Sequence, residues 1–249
     1  MRISQIFGPT IQGEGVGAGR HCLFLRVYNC NLHCSWCDTA YTWADTPAKA
    51  AMTLSGKQYN RDDPRLGMKE MTLDDVLGEL HSLWDYMSMP TTLVISGGEP
   101  MMQQTELLEV GRAFRNWKND VHIETAGTIH PEFNFDYVVS QYNVSPKLAH
   151  SGNRVEMRYK SHALRALMAT GKAWFKFVVT EETTDDDFAE IASIAKQCQI
   201  PASRIQVMPV GTSNHTVAVA RKVVNRALEA GYGLSLRTHI LLWGDDPDK

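Results

Sequence analysis

Cys30-Asn-Leu-His-Cys34-Ser-Trp-Cys37 follows directly on residues 22–27 (CLFLRV), a short apolar run that predicts a β-strand. Three thiolates therefore stand in one loop at the C-terminal end of a strand, the edge at which α/β sheets and barrels build their sites. Soft thiolates in threes or fours select iron-sulfur clusters or zinc. The spacing C-x3-C-x2-C thus predicts a metal centre with an α/β fold around it.

The alternatives to an iron-sulfur cluster are zinc, a redox pair and inert thiols. A structural zinc site normally closes with four ligands, yet no second Cys-x-x-Cys is present, and His33 would be cramped beside a liganded Cys34. A thioredoxin-like pair of Cys34 with Cys37 leaves Cys30 without a role. Inert buried thiols fit this spacing poorly. Three cysteines leave one iron of a cubane open, and we therefore favour a [4Fe-4S] cluster.

The 249 residues are long enough for one large α/β domain, and their composition is that of an ordinary globular protein. The 25 basic and 28 acidic side chains leave a net charge of −3, which gives no electrostatic reason to expect nucleic acid as a partner. The sequence has no signal-peptide pattern and no run of about 18 apolar residues, so we expect a soluble cytoplasmic protein without a membrane partner. Five cysteines are an odd number for a disulfide scaffold, and we expect Cys22 and Cys198 to be buried core thiols.

Strand and helix patterns alternate along the chain, which predicts a parallel sheet covered by helices. The predicted strands are 22–27, 91–96, 121–125, 137–144, 174–180, 205–210 and 234–239. The predicted helices follow a capping box at Thr72 and Asp75, and then span about 103–117, 184–198 and 214–230. The polar stretch 45–70 contains two prolines and interrupts the alternation, which predicts an inserted surface loop.

A second motif, Ser96-Gly97-Gly98-Glu99-Pro100, ends the predicted strand 91–96. Glycines let backbone carbonyls approach a ligand closely, and a carboxylate complements an ammonium group. On its own, Gly-Gly-Glu-Pro is also the sequence of an ordinary turn. Together with the cysteine motif, it predicts a further part of the same site.

These two motifs resemble those of the radical S-adenosylmethionine superfamily. The resemblance implies that the open iron of the cluster binds the methionine part of S-adenosylmethionine, and the residues implied at its amino group are Gly97, Gly98 and Glu99. It also implies an incomplete parallel β/α barrel, a partial TIM-like barrel of about six strands, with the cluster at its C-terminal rim. We expect residues 1–249 to form a single such domain, with the loop 45–70 inserted and a tail from about 239 closing the site.

Further motifs narrow the resemblance to the 7-carboxy-7-deazaguanine synthase family. They are Thr10-Ile-Gln-Gly-Glu-Gly15, Phe24-Leu-Arg26, Cys37-Asp-Thr39-Ala-Tyr-Thr-Trp43, Ile123-Glu-Thr-Ala-Gly-Thr128, Val144-Ser-Pro-Lys147 and His239-Ile-Leu-Leu-Trp-Gly244. Each motif is weak alone, but they occur in order and extend from end to end of the chain. Ala126 departs from the pattern, because this family often has a polar residue at that position.

The resemblance implies a lyase of queuosine and deazapurine biosynthesis that converts 6-carboxy-5,6,7,8-tetrahydropterin to 7-carboxy-7-deazaguanine with loss of ammonia. An electron enters the cluster, S-adenosylmethionine breaks homolytically, and the 5′-deoxyadenosyl radical takes a hydrogen from C6 of the pterin. The hydrogen returns after ring contraction, so S-adenosylmethionine acts catalytically. The protein places the substrate and excludes water. A flavodoxin- or ferredoxin-type electron donor and a homodimer are also implied.

The pterin has a guanidine-like edge and one carboxylate, and the matching motifs carry side chains suited to both. Glu14 and Glu124 can accept hydrogen bonds from its amino and ring N–H groups, while Arg26 offers a bidentate fork for the carboxylate. The substrate-binding residues implied are Gln12, Glu14, Arg26, Ser96, Glu124 and His239. The alternative for each is an ordinary surface or capping residue.

The resemblance assigns three more residues. Thr39 is the implied ligand of Mg2+, a cation that prefers oxygen ligands and keeps positions for substrate or water. Ser145 and Lys147 match the Ser-Pro-Lys that the family places at the S-adenosylmethionine pocket. Lys176 lies in Phe-Lys-Phe on a predicted strand. Its side chain could point into the site or out to water, and the sequence favours neither direction.

Two other functions stay open. Another radical enzyme of this superfamily, such as a glycyl-radical activase, would share the cluster but would need a groove for a macromolecular partner. It would not need Arg26, Glu14 and Glu124. A non-catalytic zinc-binding module is the second alternative, and metal analysis separates it from both enzymes.

Overall fold

The chain builds one mixed β-sheet, seen in a computed structural model that describes residues 1–44, 46, 67–84, 91–211 and 215–244. Within these ranges the strands are β1 (Arg2–Ile11), β2 (His21–Val27), β3 (Lys69–Glu70), β4 (Thr92–Gly97), β5 (Asp120–Thr125), β6 (Gln141–Val144), β7 (Ala173–Val179), β8 (Ile205–Pro209) and β9 (Gly233–Leu234). Their order across the sheet is β3-β1-β2-β4-β5-β6-β7-β8-β9. From β2 to β9 in that order the strands are parallel, whereas β1 is antiparallel to both β2 and β3.

Eight α-helices accompany the sheet in the described ranges. They are α1 (Leu73–Trp84), α2 (Gln104–Asn116), α3 (Phe133–Val138), α4 (Val155–Arg158), α5 (Ser161–Ala169), α6 (Thr184–Cys198), α7 (His215–Glu229) and α8 (Thr238–Trp243). The predicted capping box is confirmed, because Asp75 N donates to Thr72 Oγ1 at 3.2 Å and Thr72 N donates to Asp75 Oδ2 at 2.9 Å. None of the helices in the described ranges is long and apolar enough to cross a membrane.

The strand period of two separates a core face from a site face. Leu25 and Phe175 are fully buried in a continuous apolar core that β-strands and helices share. Their chain neighbours Arg26 and Lys176 point to the opposite face and line a cavity. The alternation thus places polar side chains on the inner face of the sheet.

The sheet is an incomplete β/α barrel, which confirms the predicted fold class. Six of its parallel strands, β2 and β4–β8, have four residues or more. The strands at its two ends, β3 and β9, do not pair with each other among the strands described. The site residues therefore gather at the C-terminal ends of strands in an open barrel.

Two predicted strands were wrong in extent. In 137–144 the first residues end helix α3 instead, because Val138 packs against Gly111 of α2, where a Cβ would meet Val138 Cγ2 at 2.6 Å. This packing overrides the strand propensity of the segment. In 234–239 the strand ends at Leu234, since Thr238 N donates to Gly13 O at 2.8 Å and begins α8.

The N-terminal segment differs from the prediction, and the inserted loop is described only in part. No strand was predicted before residue 22, yet β1 pairs with β2 and extends the sheet beyond its parallel part. Of the predicted loop 45–70, only residues 46 and 67–70 are described, and Lys69–Glu70 forms β3. The rest of that loop and the tail 245–249 lie outside the described residues.

Candidate active site

A cavity of about 240 Å³ opens at the C-terminal ends of the parallel strands. It brings together every predicted site residue except Glu99. Those residues are Gln12, Glu14, Arg26, Cys30, Cys34, Cys37, Thr39, Ser96, Gly97, Gly98, Glu124, Ser145, Lys147 and His239. Motifs from end to end of the sequence thus contribute to one site.

The three predicted cluster cysteines lie on one loop, and each sulfur accepts a hydrogen bond from an N–H group. The pairs are Leu32 N to Cys30 Sγ at 3.4 Å, Asn153 Nδ2 to Cys34 Sγ at 3.2 Å and Trp43 Nε1 to Cys37 Sγ at 3.3 Å. Burial raises the pKa of the Cys30 thiol to about 12 and that of Cys37 to about 11. A metal that binds here displaces these protons, as ligation by thiolate requires.

The donor set suits an iron-sulfur cluster, because thiolates are the ligands that hold such clusters. In the part of the chain that the structure describes, no three His, Cys, Asp or Glu side chains converge closely enough to hold one metal ion. In a cubane each thiolate binds a different iron, so the sulfurs need not converge on one point. Leu32 and Ala126 pack around the cysteines and supply an apolar shell for such a cluster.

The two glycines of the second motif bring β4 against the backbone of the cysteine loop. A Cβ on Gly98 would meet Asn29 O at 1.9 Å, and one on Gly97 would meet Val27 O at 2.2 Å. Gly97 also has a φ of 120°, a conformation that favours glycine. The close contact between the two motif loops therefore requires both glycines. This requirement is independent of any ligand that approaches the same residues.

Glu99 is fully buried beside the cavity and does not line it. Its carboxylate accepts hydrogen bonds from Thr125 Oγ1 at 2.7 Å, Ala126 N at 2.8 Å and Met101 N at 3.1 Å. Burial raises the pKa of this carboxyl group. Glu99 thus ties the loop after β4 to the loop after β5, and its contact with the methionine amino group stays a prediction.

Ser145 and Lys147 follow β6 and lie beside the cysteine loop. Lys147 Nζ donates to Ser145 Oγ at 3.0 Å. It also lies 5.2 Å from the ring centroid of Trp36, which stands between two of the cysteines in sequence. The predicted S-adenosylmethionine residues are thus adjacent to the predicted cluster.

Glu14, Lys176 and Arg237 form a buried ion-pair cluster in the cavity wall. Lys176 Nζ donates to Glu14 Oε2 and lies 3.5 Å from Glu124 Oε2, while Arg237 Nε donates to Glu14 Oε1 at 2.8 Å. Burial raises the pKa of Glu14, but the charges of Lys176 and Arg237 outweigh it and hold that pKa well below its usual range. Burial lowers the pKa of Lys176, and the carboxylates of Glu124 and Glu14 reverse the shift and raise it. Glu14 is therefore a carboxylate, and Lys176 an ammonium, at neutral pH.

This cluster contains residues that the sequence analysis left open or missed. Lys176 is buried and its Nζ contacts Glu14, so its side chain points into the site. Arg237 and its ion-pair partner Asp38 were not predicted as site residues. The available signal was their place in the sequence, because Arg237 stands two residues before His239 and Asp38 directly follows Cys37.

Glu124 is held by a second set of contacts. Its Oε1 accepts from Gln12 Nε2 at 2.9 Å and from Asn143 Nδ2 at 2.8 Å. Gln12 in turn accepts at its Oε1 from Glu14 N at 3.3 Å. The Glu124 carboxylate is thus fixed in place beside the ion-pair cluster.

Arg26 is buried, which excludes the alternative of an exposed arginine. Its guanidinium carbon lies 4.9 Å from the ring centroid of Phe7 and 5.7 Å from that of Tyr41. Nη1 donates to Gln5 Oε1 and to Tyr41 Oη. The planar group is therefore held in one orientation in the cavity wall.

The segment before and within α8 contacts the Gln12–Gly15 stretch. Gly15 N donates to Ser235 Oγ at 2.8 Å, and the His239 ring fills the space beside Gly13, where a Cβ would meet Nδ1 at 1.8 Å. Burial lowers the pKa of His239. Its Nδ1 is buried against Gly13 and has no hydrogen-bond partner within the described ranges.

Thr39 lies at the edge of the cysteine loop and lines the cavity. Its Oγ1 is 3.8 Å from Cys37 Sγ. Although Thr39 precedes the 3-10 turn Ala40–Thr42, its side chain makes no capping hydrogen bond to that turn. The hydroxyl is therefore not committed to the local helix start.

Comparison with known proteins agrees with this geometry. The family model for a 4Fe-4S single cluster domain matches residues 11–146. A 7-carboxy-7-deazaguanine synthase from Pyrobaculum aerophilum is 30% identical over 247 residues, which cover 98% of this chain and 96% of that protein. The same enzyme from Hyperthermus butylicus is 27% identical over 97% of this chain and 92% of its own. In fold, the chain is similar to the crystal structure of QueE from Escherichia coli, with a TM-score of 0.62 and 22% identity over 96% of this chain and 94% of that one.

Proposed function

This chain belongs to the 7-carboxy-7-deazaguanine synthase family, and on that basis we propose that it converts 6-carboxy-5,6,7,8-tetrahydropterin to 7-carboxy-7-deazaguanine with loss of ammonia. The observation that carries the proposal is the sharing of one cavity by the three-cysteine loop and the buried ion-pair cluster of Glu14, Lys176 and Arg237. The first part suits a cluster with S-adenosylmethionine, and the second suits a polar heterocycle.

Cys30, Cys34 and Cys37 would hold the [4Fe-4S] cluster. When bound, the cluster and S-adenosylmethionine supply the 5′-deoxyadenosyl radical that removes a hydrogen atom from C6 of the pterin. The chain's own residues place the reactants: Ser145 and Lys147 flank the cysteine loop on the side proposed for S-adenosylmethionine. The loop after β4 closes the same region, and the buried contacts of Glu99 keep it in position.

The pterin's amino and ring N–H groups are proposed to donate to the carboxylates of Glu14 and Glu124. Gln12 and Lys176 hold these carboxylates before any substrate arrives, so binding requires little rearrangement. Arg26 is proposed to bind the substrate carboxylate, because its guanidinium is planar and held against the rings of Phe7 and Tyr41.

Three residues complete the proposed substrate site. His239 and Ser96 both line the cavity, and we propose that the imidazole and the hydroxyl contact the substrate. The hydroxyl of Thr39 is proposed as one ligand of Mg2+, with substrate and water oxygens supplying others. An electron donor of flavodoxin or ferredoxin type and a homodimer are further parts of the proposal.

Analysis of iron and sulfide in anaerobically purified protein tests the cluster. We expect about four iron and about four sulfide per chain, because three thiolates in this spacing select a cubane. Cys34→Ala should lose the cluster and the activity. Cys198→Ala is the matched control, since Cys198 is also buried but lies in the core on α6, and it should keep both. Stoichiometric zinc without labile sulfide would instead support a zinc-binding module.

A further inference from the structure

The segment that follows the Ser-Pro-Lys motif is attached to the cysteine loop by a set of hydrogen bonds. Ser35 N donates to Ser151 O at 3.0 Å, and His33 N donates to Asn153 Oδ1 at 2.9 Å. Asn153 Nδ2 donates to Cys34 Sγ at 3.2 Å. One side chain, that of Asn153, thus contacts both the backbone of the loop and a predicted cluster ligand.

The orientation of the Asn153 amide follows from its partners. A backbone N–H such as that of His33 can only donate, so the atom of Asn153 that it contacts must be the amide oxygen. The amide nitrogen is then the atom that faces Cys34 Sγ. The N–H dipole therefore points its positive end at the sulfur.

The three sulfur contacts differ in what each donor does elsewhere. The donor to Cys30 is the backbone N of Leu32, which a side-chain substitution does not remove. The donor to Cys37 is Trp43, which is 5% exposed and packs with Ala40 in the core of the loop. Asn153 is half-buried and outside the loop, so its hydrogen bond to sulfur can be altered by substitution without repacking the loop.

We propose that Asn153 is a positioning residue that holds Cys34 and raises the reduction potential of the bound cluster; the proposal rests on the cluster of the proposed function. Reduction adds negative charge to the cluster and its thiolates, and an N–H dipole directed at a sulfur stabilises that charge. Hydrogen bonds to the sulfurs are among the factors that set the potential of such clusters. Removing this donor therefore lowers the potential and makes the cluster harder to reduce.

The test is an anaerobic redox titration of the reconstituted full chain, followed by the electron paramagnetic resonance signal of the reduced cluster. Iron and sulfide are first quantified in each protein. Asn153→Ala removes the donor without adding charge, and Asn153→Asp keeps the size and the acceptor but replaces the donor by a carboxylate oxygen. Arg154→Ala is the control, since Arg154 is the next residue, is 77% exposed at its side chain and pairs only with surface Glu156 among the contacts described.

We expect the potential to fall in the order wild type, Asn153→Ala, Asn153→Asp, with Arg154→Ala equal to wild type. An unchanged potential in Asn153→Ala would overturn the proposal, as would a fall confined to Asn153→Asp, because added charge alone explains that result. Loss of the cluster from both Asn153 variants but not from Arg154→Ala would leave a purely structural role and also overturn it. Wild-type protein without iron and sulfide would contradict the proposed function itself, which separates the two failures.

Discussion

Lys176 donates a hydrogen bond to Glu14 across 162 residues of sequence, from strand β7 to the segment that follows β1. Both side chains are largely buried, with exposed fractions of 7% for Lys176 and 17% for Glu14. A buried ion pair of this kind is strongly destabilising when one partner alone is removed, because the other charge is left without compensation. The pair therefore couples the stability of the fold to the shape of the site.

Replacing Lys176 by methionine should lower the free energy of unfolding by about 3–5 kcal/mol, since Glu14 and Glu124 lose a shared cation. Lys172→Met is the matched control, because Lys172 pairs with Asp136 at 3.2 Å but both side chains are about 30% exposed. That change should cost less than about 1 kcal/mol. Denaturant unfolding of both variants measures the difference in unfolding free energy. Equal losses would show that the buried Lys176 pair contributes no more to stability than the partly exposed Lys172 pair.

The low pKa of Glu14 predicts how stability depends on pH. Glu14 stabilises the fold fully above its ordinary pKa of 4.5 in the unfolded chain. Because its folded pKa is lower, this contribution is lost progressively as the pH falls below that value. The difference in unfolding free energy between the wild type and Glu14→Gln should be constant from about pH 6 to 8 and shrink towards about pH 3. A difference that stays constant down to about pH 3 would contradict the lowered pKa of Glu14.

Arg26 tests whether the cavity binds the pterin. Loss of a charge-assisted bidentate contact in Arg26→Ala should cost on the order of 2–4 kcal/mol, or roughly 30- to 1000-fold in kcat/KM. Lysine should rescue only partly, because an ammonium lacks the planar fork. Turnover is measured beside substrate-independent cleavage of S-adenosylmethionine, which should persist. Arg20→Ala is the control, since the Arg20 side chain is 57% exposed; equal loss of turnover and cleavage would assign Arg26 to the cofactor or the fold.

Thr39 tests the proposed magnesium site. Thr39→Ala should raise the Mg2+ concentration that gives half-maximal turnover by about tenfold. This is the effect expected for the loss of one oxygen contact of about 1.4 kcal/mol. Its iron and sulfide content should be unchanged. Thr39→Ser keeps the hydroxyl and should behave as the wild type. If Thr39→Ala responds to Mg2+ as the parent does, the hydroxyl has only a local role.

The sequence predicted those parts of the site that short motifs identify. The cysteine spacing and the Gly-Gly-Glu loop indicate their chemistry locally, and all of these residues except Glu99 line the cavity. Glu99 shows the limit of a motif: its carboxylate binds three donors from neighbouring loops, and only the fold brings those donors together.

The residues that sequence reasoning left open or missed are placed by long-range packing. The direction of Lys176 depends on which strand face turns inward, and the place of Arg237 depends on an ion pair with Asp38, 199 residues away. For the same reason the predicted strand 137–144 was wrong in extent, because contact with α2 made its first part helical. Strand β1 was missed, although it forms an antiparallel partner for β2.

The most direct measurement is mass spectrometry of the product after anaerobic turnover of the reconstituted chain with 6-carboxy-5,6,7,8-tetrahydropterin, Mg2+, a reductant and limiting S-adenosylmethionine. The proposed function predicts 7-carboxy-7-deazaguanine and ammonia in amounts that exceed the S-adenosylmethionine supplied, because the cofactor acts catalytically. Formation of 5′-deoxyadenosine from a fully loaded cluster, with the pterin left unchanged, would contradict it.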